Sequence, residues 1–429
     1  MSNAPVVSRF LEFSKIPHCS FDALKMRDYI LDFCKRANAK VSLDSANNIH
    51  AIKGKPKVCL QAHYDMVCIA DAPKLDIYEK DGFLRARNSS LGSDNGIGIC
   101  IMLEALLNFE HIECLFTSDE EVGLLGANAL EHKIISSKFL NLDHEIDNEV
   151  VTSCAGGVDI LADLDISYKN ESGYIYELSA IGLKGGHSGV DIVSNPTSSI
   201  KILARFIAKN NGQIIGFNAG ERINSIPKHG IAKVLFAHKI KDSNSNIEIS
   251  FIKEGQASVI AQSERILDIL NGFAQGLRVY DDILGIARTS INLATAKSSE
   301  DKFIIQLFAR SNDLRELKEL DFDTHAYFRS AGFNISSSNF YAPWENAGKD
   351  ASFALEVLDV MKRKIKDARL FAIHAGLECG AIKARQAHIN PCSIGPNIFN
   401  PHSTDERVEV DSINKITSVV FDVLEQNQK

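Results

Sequence analysis

Short apolar runs that each lead into a group able to bind a cation constrain this chain more than any other feature. Val58-Cys-Leu-Gln-Ala62 is followed at once by His63-Tyr64-Asp65, the run 112–116 leads into Glu120-Glu121, and the run 139–142 ends on Asp143. Between the first two, residues 97–107 have the length and periodicity of a buried helix, and Asp94 stands at its start in the turn 92–95. Strands that alternate with helices build an open sheet covered by helices on both faces. Such sheets bind ligands beyond their strand ends. The acids and the imidazole are therefore expected to converge at one edge.

The rest of the chain reads in two styles. Residues 6–40 are expected to be helical and broken at Pro17, because Phe10, Phe13, Tyr29, Ile30 and Phe33 recur at helical intervals. Val41-Ser-Leu and Ile49-His-Ala-Ile read as paired strands. After Gly156-Gly157, Leu161-Ala-Asp-Leu-Asp-Ile-Ser and Tyr174-Ile-Tyr-Glu-Leu-Ser-Ala-Ile alternate as antiparallel strands do. Helices are expected over 198–210 and 260–277, with strands at 231–236, 247–252, 290–294 and 303–309. These two helix-plus-strand blocks are compatible with an internal duplication, without any residue-level repeat. From about residue 350 the first style returns, with helices at 351–365 and 376–386, a strand Arg369-Leu-Phe-Ala-Ile-His between them, a strand near Ala387-His-Ile and a final helix from Asp411.

The expected fold class is α/β, a mixed sheet flanked by helices (1–170 and 344–429) interrupted by an α+β unit (171–343). A chain of 429 residues exceeds one typical domain, which favours such a division. His402 must then fold back beside Asp94 for the groups to form one site.

Composition narrows the function classes. A net charge of −8 argues against a nucleic-acid or anionic-membrane surface. The start, Met1-Ser-Asn-Ala-Pro-Val-Val-Ser-Arg, has neither the basic nor the apolar segment of a signal peptide. The most apolar stretch, 96–107, contains Glu104 and is too short to span a bilayer. Nine cysteines without a Cys-x-x-Cys pair read as free, mostly buried thiols in a reducing compartment, hence a cytoplasmic protein. Cys68, near His63, is either a soft ligand or, more ordinarily, a small apolar filler.

Zinc accepts imidazole nitrogen and carboxylate oxygen, and a catalytic site keeps a position for water. Two ions about 3.5–4 Å apart need a bridging carboxylate. Asp94 suits the bridge, because the free N–H groups at a helix N-terminus hold a carboxylate ionised; on its own it would be an N-cap. Asp65, two residues after His63, is placed to accept the other ring N–H of a ligating histidine. Glu120 and Glu121 are adjacent and point different ways, so one can bind metal while the other acts as a base. Asp143 and His402 complete five ligands and one spare carboxylate. Taken singly, each of these groups is also a strand-end cap or a solvated acidic turn.

Longer motifs surround these residues. Leu60-Gln-Ala-His-Tyr-Asp-Met-Val-Cys68, Leu91-Gly-Ser-Asp-Asn-Gly-Ile-Gly98, Phe116-Thr-Ser-Asp-Glu-Glu-Val-Gly-Leu-Leu-Gly-Ala127 and Leu140-Asn-Leu-Asp143 resemble the zinc-dependent aminoacyl-histidine dipeptidases. These belong to the aminoacylase/carboxypeptidase-like di-zinc metallopeptidases. Cys154-Ala-Gly-Gly157, Gly182-Leu-Lys-Gly-Gly-His-Ser-Gly189, Asn224-Ser-Ile-Pro227, His374-Ala-Gly-Leu-Glu-Cys-Gly380, Ser393-Ile-Gly-Pro396 and Pro401-His-Ser403 extend the resemblance over nearly the whole chain.

The resemblance implies a zinc-exopeptidase-like catalytic domain interrupted by a lid domain. It implies one zinc on His63, Asp94 and Asp143 and a second on Asp94, Glu121 and His402, with Mn2+ or Co2+ as substitutes. Glu120 is then general base and acid, and Asp65 orients His63. His187 looks like the lid histidine that hydrogen-bonds the substrate carbonyl, and Asn224 and Arg310 like the residues that hold the C-terminal carboxylate. Arg310 could equally end its strand in a surface ion pair, and Asn224 precedes a turn. Glu378 is given no role beyond support of the ligands. Departures from the family pattern, Tyr64 for the usual Leu, Asn88-Ser-Ser before Leu91 and His144-Glu-Ile-Asp-Asn after Asp143, bear on substrate range more than on activity.

The expected function is hydrolysis of dipeptides, Xaa-His among them. The alternatives are a tripeptidase, a carboxypeptidase or an N-acyl-amino-acid deacylase with the same site, and, from another class, a non-catalytic metal-binding scaffold. The expected partner is a small peptide, with no nucleic acid or membrane, in a homodimer or in a monomer with a doubled lid.

Overall fold

The computed structural model describes residues 5–282, 285–344 and 351–428; residues 1–4, part of the start examined above for a leader, lie outside them. The chain divides into two units. The first comprises Met1–Cys154, Trp344–Ala372 and Leu377–Lys429, and the second Ala155–Pro343 and Ile373–Gly376. The domain boundary expected at residue 170 lies beyond the change of style noted after Gly156-Gly157, which is close to Ala155, where the second unit begins. The boundary falls there because Gly156–Asp165 pairs antiparallel with Lys302–Ser311 and Asn334–Tyr341, inside the sheet of the second unit.

The first unit is built on an eight-stranded mixed sheet. Its order is Lys40–Leu43, Ile49–Lys53, Ile112–Thr117, Val58–His63, Lys138–Asn141, Asn390–Ser393, Glu149–Cys154 and Arg369–Ile373. The run from Ile112–Thr117 to Asn390–Ser393 is parallel. Val58–His63 is buried along its whole length, as expected of a strand covered on both faces. Ser93–Asn108 is buried almost all round, which explains why its sequence is apolar without a polar face. Gly96 lets Pro5–Phe13 lie close against it: a Cβ there would stand 2.9 Å from the Phe10 ring. The one acid deep in this helix, Glu104, pairs with Arg9 at 2.5 Å. Among the described residues no helix is long and apolar enough to cross a membrane.

A small four-stranded sheet joins Ile398–Phe399, Arg407–Glu409, Phe83–Ala86 and Ile77–Lys80. None of its strands exceeds four residues, and none was anticipated. Leu125–Asn128 is a single helical turn.

The second unit is a nine-stranded antiparallel sheet. Ser199–Lys209, Ser263–Gly272 and Leu314–Ser330 bury their apolar sides in its core, with Ile200, Leu203, Ile266, Leu270, Leu317 and Phe328 fully covered.

One expectation from composition is corrected. Cys19 and Cys68 form a disulfide, so Cys68 is neither a ligand nor a thiol filler, while the other seven cysteines are buried and take no part in a disulfide. The pairing follows from local chain geometry: Cys19 lies in a parallel bridge with Met66, whose N–H donates to the His18 carbonyl at 3.0 Å. Nothing in the spacing of the nine cysteines singles out this pair.

Candidate metal centre

Three parallel strands set the geometry. Val58–His63 lies between Ile112–Thr117 and Lys138–Asn141, so their C-terminal ends share an edge. His63 is the last residue of its strand, Glu120 and Glu121 lie just beyond the second, and Asp143 just beyond the third. Asp94 stands in the first turn of Ser93–Asn108 with φ −84° and ψ 107°, outside helical geometry. Gly92 before it has φ +69°, and a Cβ there would meet the Met66 sulfur at 2.9 Å, so the turn needs glycine. His402 comes from the loop that joins Ile398–Phe399 to Arg407–Glu409, strands that pair antiparallel.

These groups converge. His63 Nε2 lies 3.2 Å from one Asp94 oxygen and 3.2 Å from Asp143. His402 Nε2 lies 3.1 Å from the other Asp94 oxygen and 2.8 Å from Glu121. Asp94 thus stands between two imidazoles 308 residues of sequence away on one side and 31 on the other. Glu120 Oε2 is 4.0 Å from His63 Nε2.

Asp65 holds the arrangement from behind. Its carboxylate accepts the N–H groups of Glu120 at 3.0 Å and Glu121 at 3.3 Å, and the Ser20 hydroxyl at 2.7 Å. His63 Nδ1 lies 3.1 Å from the Asp65 carbonyl and 3.5 Å from its carboxylate. The ring therefore donates mainly to the backbone of Asp65, and its Nε2 is left to face the acids. The carboxylate of Asp65 fixes the two glutamates more directly than it fixes the imidazole.

Burial and charge pull these groups in opposite directions. Burial opposes protonation of His63, but the carboxylates of Asp143, Asp65 and Asp94 outweigh it and raise its pKa well above the usual range. His402 behaves likewise through Glu121 and Asp94. Asp94 is held below the usual carboxylate range, because its two imidazoles overcome its burial. Burial pushes Glu120 well up, helped by Glu121 and Asp143 and opposed by His63. Glu121 is pushed up to about 7, chiefly by burial, with His402 pulling the other way.

The donor set fits divalent cations. Ligand atoms of His63, Asp94 and Asp143 lie within 4.8 Å of one another, as do those of Asp94, Glu121 and His402, and of His63, Glu120 and Glu121. Two of these groups share Asp94. Glu121 Oε1 is buried without a hydrogen-bond partner among the described residues, a state that a cation would relieve. Imidazole and carboxylate are the donors zinc accepts.

Residues 59–426 match the model of the Peptidase family M20/M25/M40. The chain belongs to this metallopeptidase family. It is 27% identical over 475 aligned positions to the cytosol non-specific dipeptidase of Escherichia coli (strain K12), covering 99% of this chain and 98% of that protein. Its structure matches that of the aminoacylhistidine dipeptidase from Vibrio alginolyticus with a TM-score of 0.78 and 27% identity, over 100% of this chain and 97% of the other. A tripeptidase from Staphylococcus aureus shares the fold, with a TM-score of 0.62 at 16% identity over 100% and 99% of the two chains.

In this M20 peptidase, His187, Asn224 and Arg310 all lie in the second unit. His187 Nδ1 accepts N–H groups from Gly189 at 3.3 Å and Val190 at 3.2 Å, so its proton sits on Nε2. Ser188 N–H donates to the Asn224 carbonyl at 2.9 Å, which puts His187 and Asn224 on adjoining loops. Arg310 is buried, not a surface residue: it is 4% exposed. It donates to the Tyr341 hydroxyl at 3.1 Å and lies over the Phe308 ring at 4.2 Å. Its Nε is buried without a partner, and no carboxylate comes within ion-pair distance among the described residues. Opposite Arg310 in the ladder stands Ser290, whose hydroxyl bonds His374 Nε2 at 2.8 Å.

Two acids beside the cluster add to the sequence reading. Glu145, two residues after Asp143, is pushed up to about 8 by burial and by the charges of Asp94 and Asp143, with His402 opposing. It lies in the stretch noted above only as a departure from the family pattern. Glu378, named without a role, takes hydrogen bonds from Gln61 and from Thr117, the latter at 2.7 Å, and its Oε1 has no partner among the described residues. Asn95 donates its side-chain amide to Asp143, a link no spacing argument could supply.

Proposed function

We propose that this peptidase is a cytoplasmic di-zinc dipeptidase whose substrates include Xaa-His. One observation carries the reading: His63 and His402 stand on opposite oxygens of Asp94, at 3.2 and 3.1 Å, so two donor triads share one carboxylate. The two relatives at 27% identity, matched over nearly their full lengths, are both named dipeptidases. One ion would be held by His63, Asp94 and Asp143, the other by Asp94, Glu121 and His402. Bound there, the zinc ions supply Lewis acidity to the scissile carbonyl and lower the pKa of water to about 7.

The chain's own groups do the rest. Glu120 takes the proton of the attacking water and hands it to the leaving amine. Burial raises its proton affinity well above that of an ordinary carboxylate, which favours taking up that proton. Asp65 keeps Glu120 and Glu121 in place through their backbone N–H groups. His187 donates its Nε2–H to the carbonyl oxygen as negative charge builds there. Arg310 and Asn224 hold the C-terminal carboxylate. A buried guanidinium with no carboxylate at ion-pair distance among the described residues supports that assignment, because an anion relieves its desolvation and a planar fork pairs both oxygens.

The test is a metal-reconstituted activity panel of Xaa-His and other dipeptides, tripeptides and N-acetyl amino acids, with elemental analysis. Two zinc ions per chain and cleavage confined to dipeptides are expected. A preference for tripeptides or N-acetyl amino acids would replace the substrate assignment, and no metal-dependent hydrolysis anywhere in the panel would overturn the enzymatic reading.

A further inference from the structure

A buried acid joins the two sequence-distant halves of the metal cluster. Glu406 is 3% exposed and follows His402 by four residues. Its Oε2 accepts the N–H groups of Leu91 at 2.7 Å and Gly92 at 3.2 Å. Its Oε1 accepts the N–H of Ser93 at 2.9 Å and the Ser93 hydroxyl at 2.7 Å. All four donors belong to the turn that ends at Asp94.

The loop behind Glu406 is closed as well. Glu406 N–H donates to the Ser403 carbonyl at 3.3 Å, and the Ser403 hydroxyl to the Asn400 carbonyl at 2.7 Å. Both Asn400 and His402 have left-handed backbones, with φ +52° and +57°, so the loop has one narrow shape. Strands on either side of it pair with each other, and Arg407–Glu409 also pairs with Phe83–Ala86.

We propose that Glu406 is the positioning residue that sets His402 against Asp94, and so tunes the metal position that His402 serves. A carboxylate is required for this. Its two oxygens accept two donors each, whereas the amide of glutamine would turn an N–H2 group against donors on one side. The other metal position shares Asp94 but takes its remaining ligands, His63 and Asp143, from strands that Glu406 does not touch, whereas His402 lies on the same loop as Glu406. Losing Glu406 therefore moves one position far more than the other. Outer partners of ligands commonly carry 10- to 100-fold in metal affinity.

The inference rests on the two-ion reading of the cluster, and the experiment separates the two. Zn2+ alone is titrated by calorimetry into the metal-stripped full chain, and Co2+ alone is followed by its visible absorption. Wild type binding a single ion would sink the two-ion reading. With two ions in wild type, E406Q is expected to weaken the His402-bearing position 10- to 100-fold, to leave the other within about threefold, and to change the Co2+ spectrum of the weak position only. E406D, which keeps both acceptor oxygens, restores part of the loss, and S93A, which removes one of the four donors, weakens the same position by less. Should E406Q fail to fold, S93A and E406D carry the test. Equal weakening of both positions, or two positions as tight as in wild type in a folded variant, would overturn the proposal.

Discussion

Two histidine clusters, one in each unit, are surrounded in opposite ways. In the first, His63 and His402 face carboxylates, which drive both rings toward the charged form. In the second, His374 is enclosed by neutral partners: Ser290 at Nε2, 2.8 Å away, and the Asn312 side-chain oxygen at Nδ1, 2.9 Å away. Burial and the neighbouring Arg310 push His374 down to about 3. Asn312 gives its amide N–H to the Ile373 carbonyl at 3.0 Å, so its oxygen faces the ring and Nδ1 carries the proton. The difference teaches what each site is for. The neutral cluster is satisfied as it stands, whereas the charged one presents the imidazole and carboxylate donors that divalent cations accept.

The largest effect expected from this contrast is on turnover. Glu120→Gln should lower kcat by about 10²- to 10⁴-fold while two ions stay bound, measured by steady-state kinetics beside metal analysis. Wild-type-like turnover in that variant breaks the division between ligands and base. Next comes the second unit. Arg310→Lys keeps the charge and loses the fork, so KM for dipeptides should rise about 10- to 100-fold with a smaller change in kcat, by the worth of hydrogen bonds to charged groups. A fall in kcat alone would remove Arg310 from carboxylate binding.

Metal removal sharpens the contrast further. Chelation should lower the thermal midpoint by several degrees, since ligand at 100 times its dissociation constant contributes about 2.7 kcal/mol. Hydrogen exchange should then rise around 91–95 and 400–406 and stay unchanged around 290 and 312. Uniform loosening would erase the difference between the units. The smallest effect concerns pH. His374 takes up a proton near pH 6.5 when unfolded and near 3 when folded, so the unfolded state binds more protons between those values. Stability is complete above about pH 6.5 and falls as pH drops below it, by at most about 1.4 kcal/mol per pH unit. Metal-free His374→Gln protein should show a flatter decline between pH 6.5 and 4.5 in thermal melts than metal-free wild type. An identical slope would mean that His374 is not held neutral.

Much of the site was legible because strand ends and a helix start leave periodic marks. His63, Glu121 and Asp143 follow apolar runs, and Asp94 opens one. Groups held by tertiary contact left no such mark. Glu406 acts on a turn 313 to 315 residues earlier, and Cys19 meets Cys68 because a short bridge aligns their segments. In the fold, buried strands were found and polar ones were cut short. Ile247–Ile260 continues eight residues past the expected end because its stretch 253–258 is polar and mostly exposed, before the strand is buried again at Val259 and Ile260. The helix Leu314–Ser330 was legible in hindsight: Asp313 caps it by accepting the Glu316 N–H at 2.9 Å, and Leu317, Leu320, Thr324 and Phe328 form one buried stripe. Its dense charges hid that stripe.

The four residues Ile373–Gly376 belong to the second unit, although the chain on either side of them belongs to the first. A gene fragment that encodes only 155–343 would therefore leave Ser290 and Asn312 facing the gap where the His374 ring belongs. Chimeras that exchange this unit between relatives must carry both stretches, and a single cut cannot free either body intact.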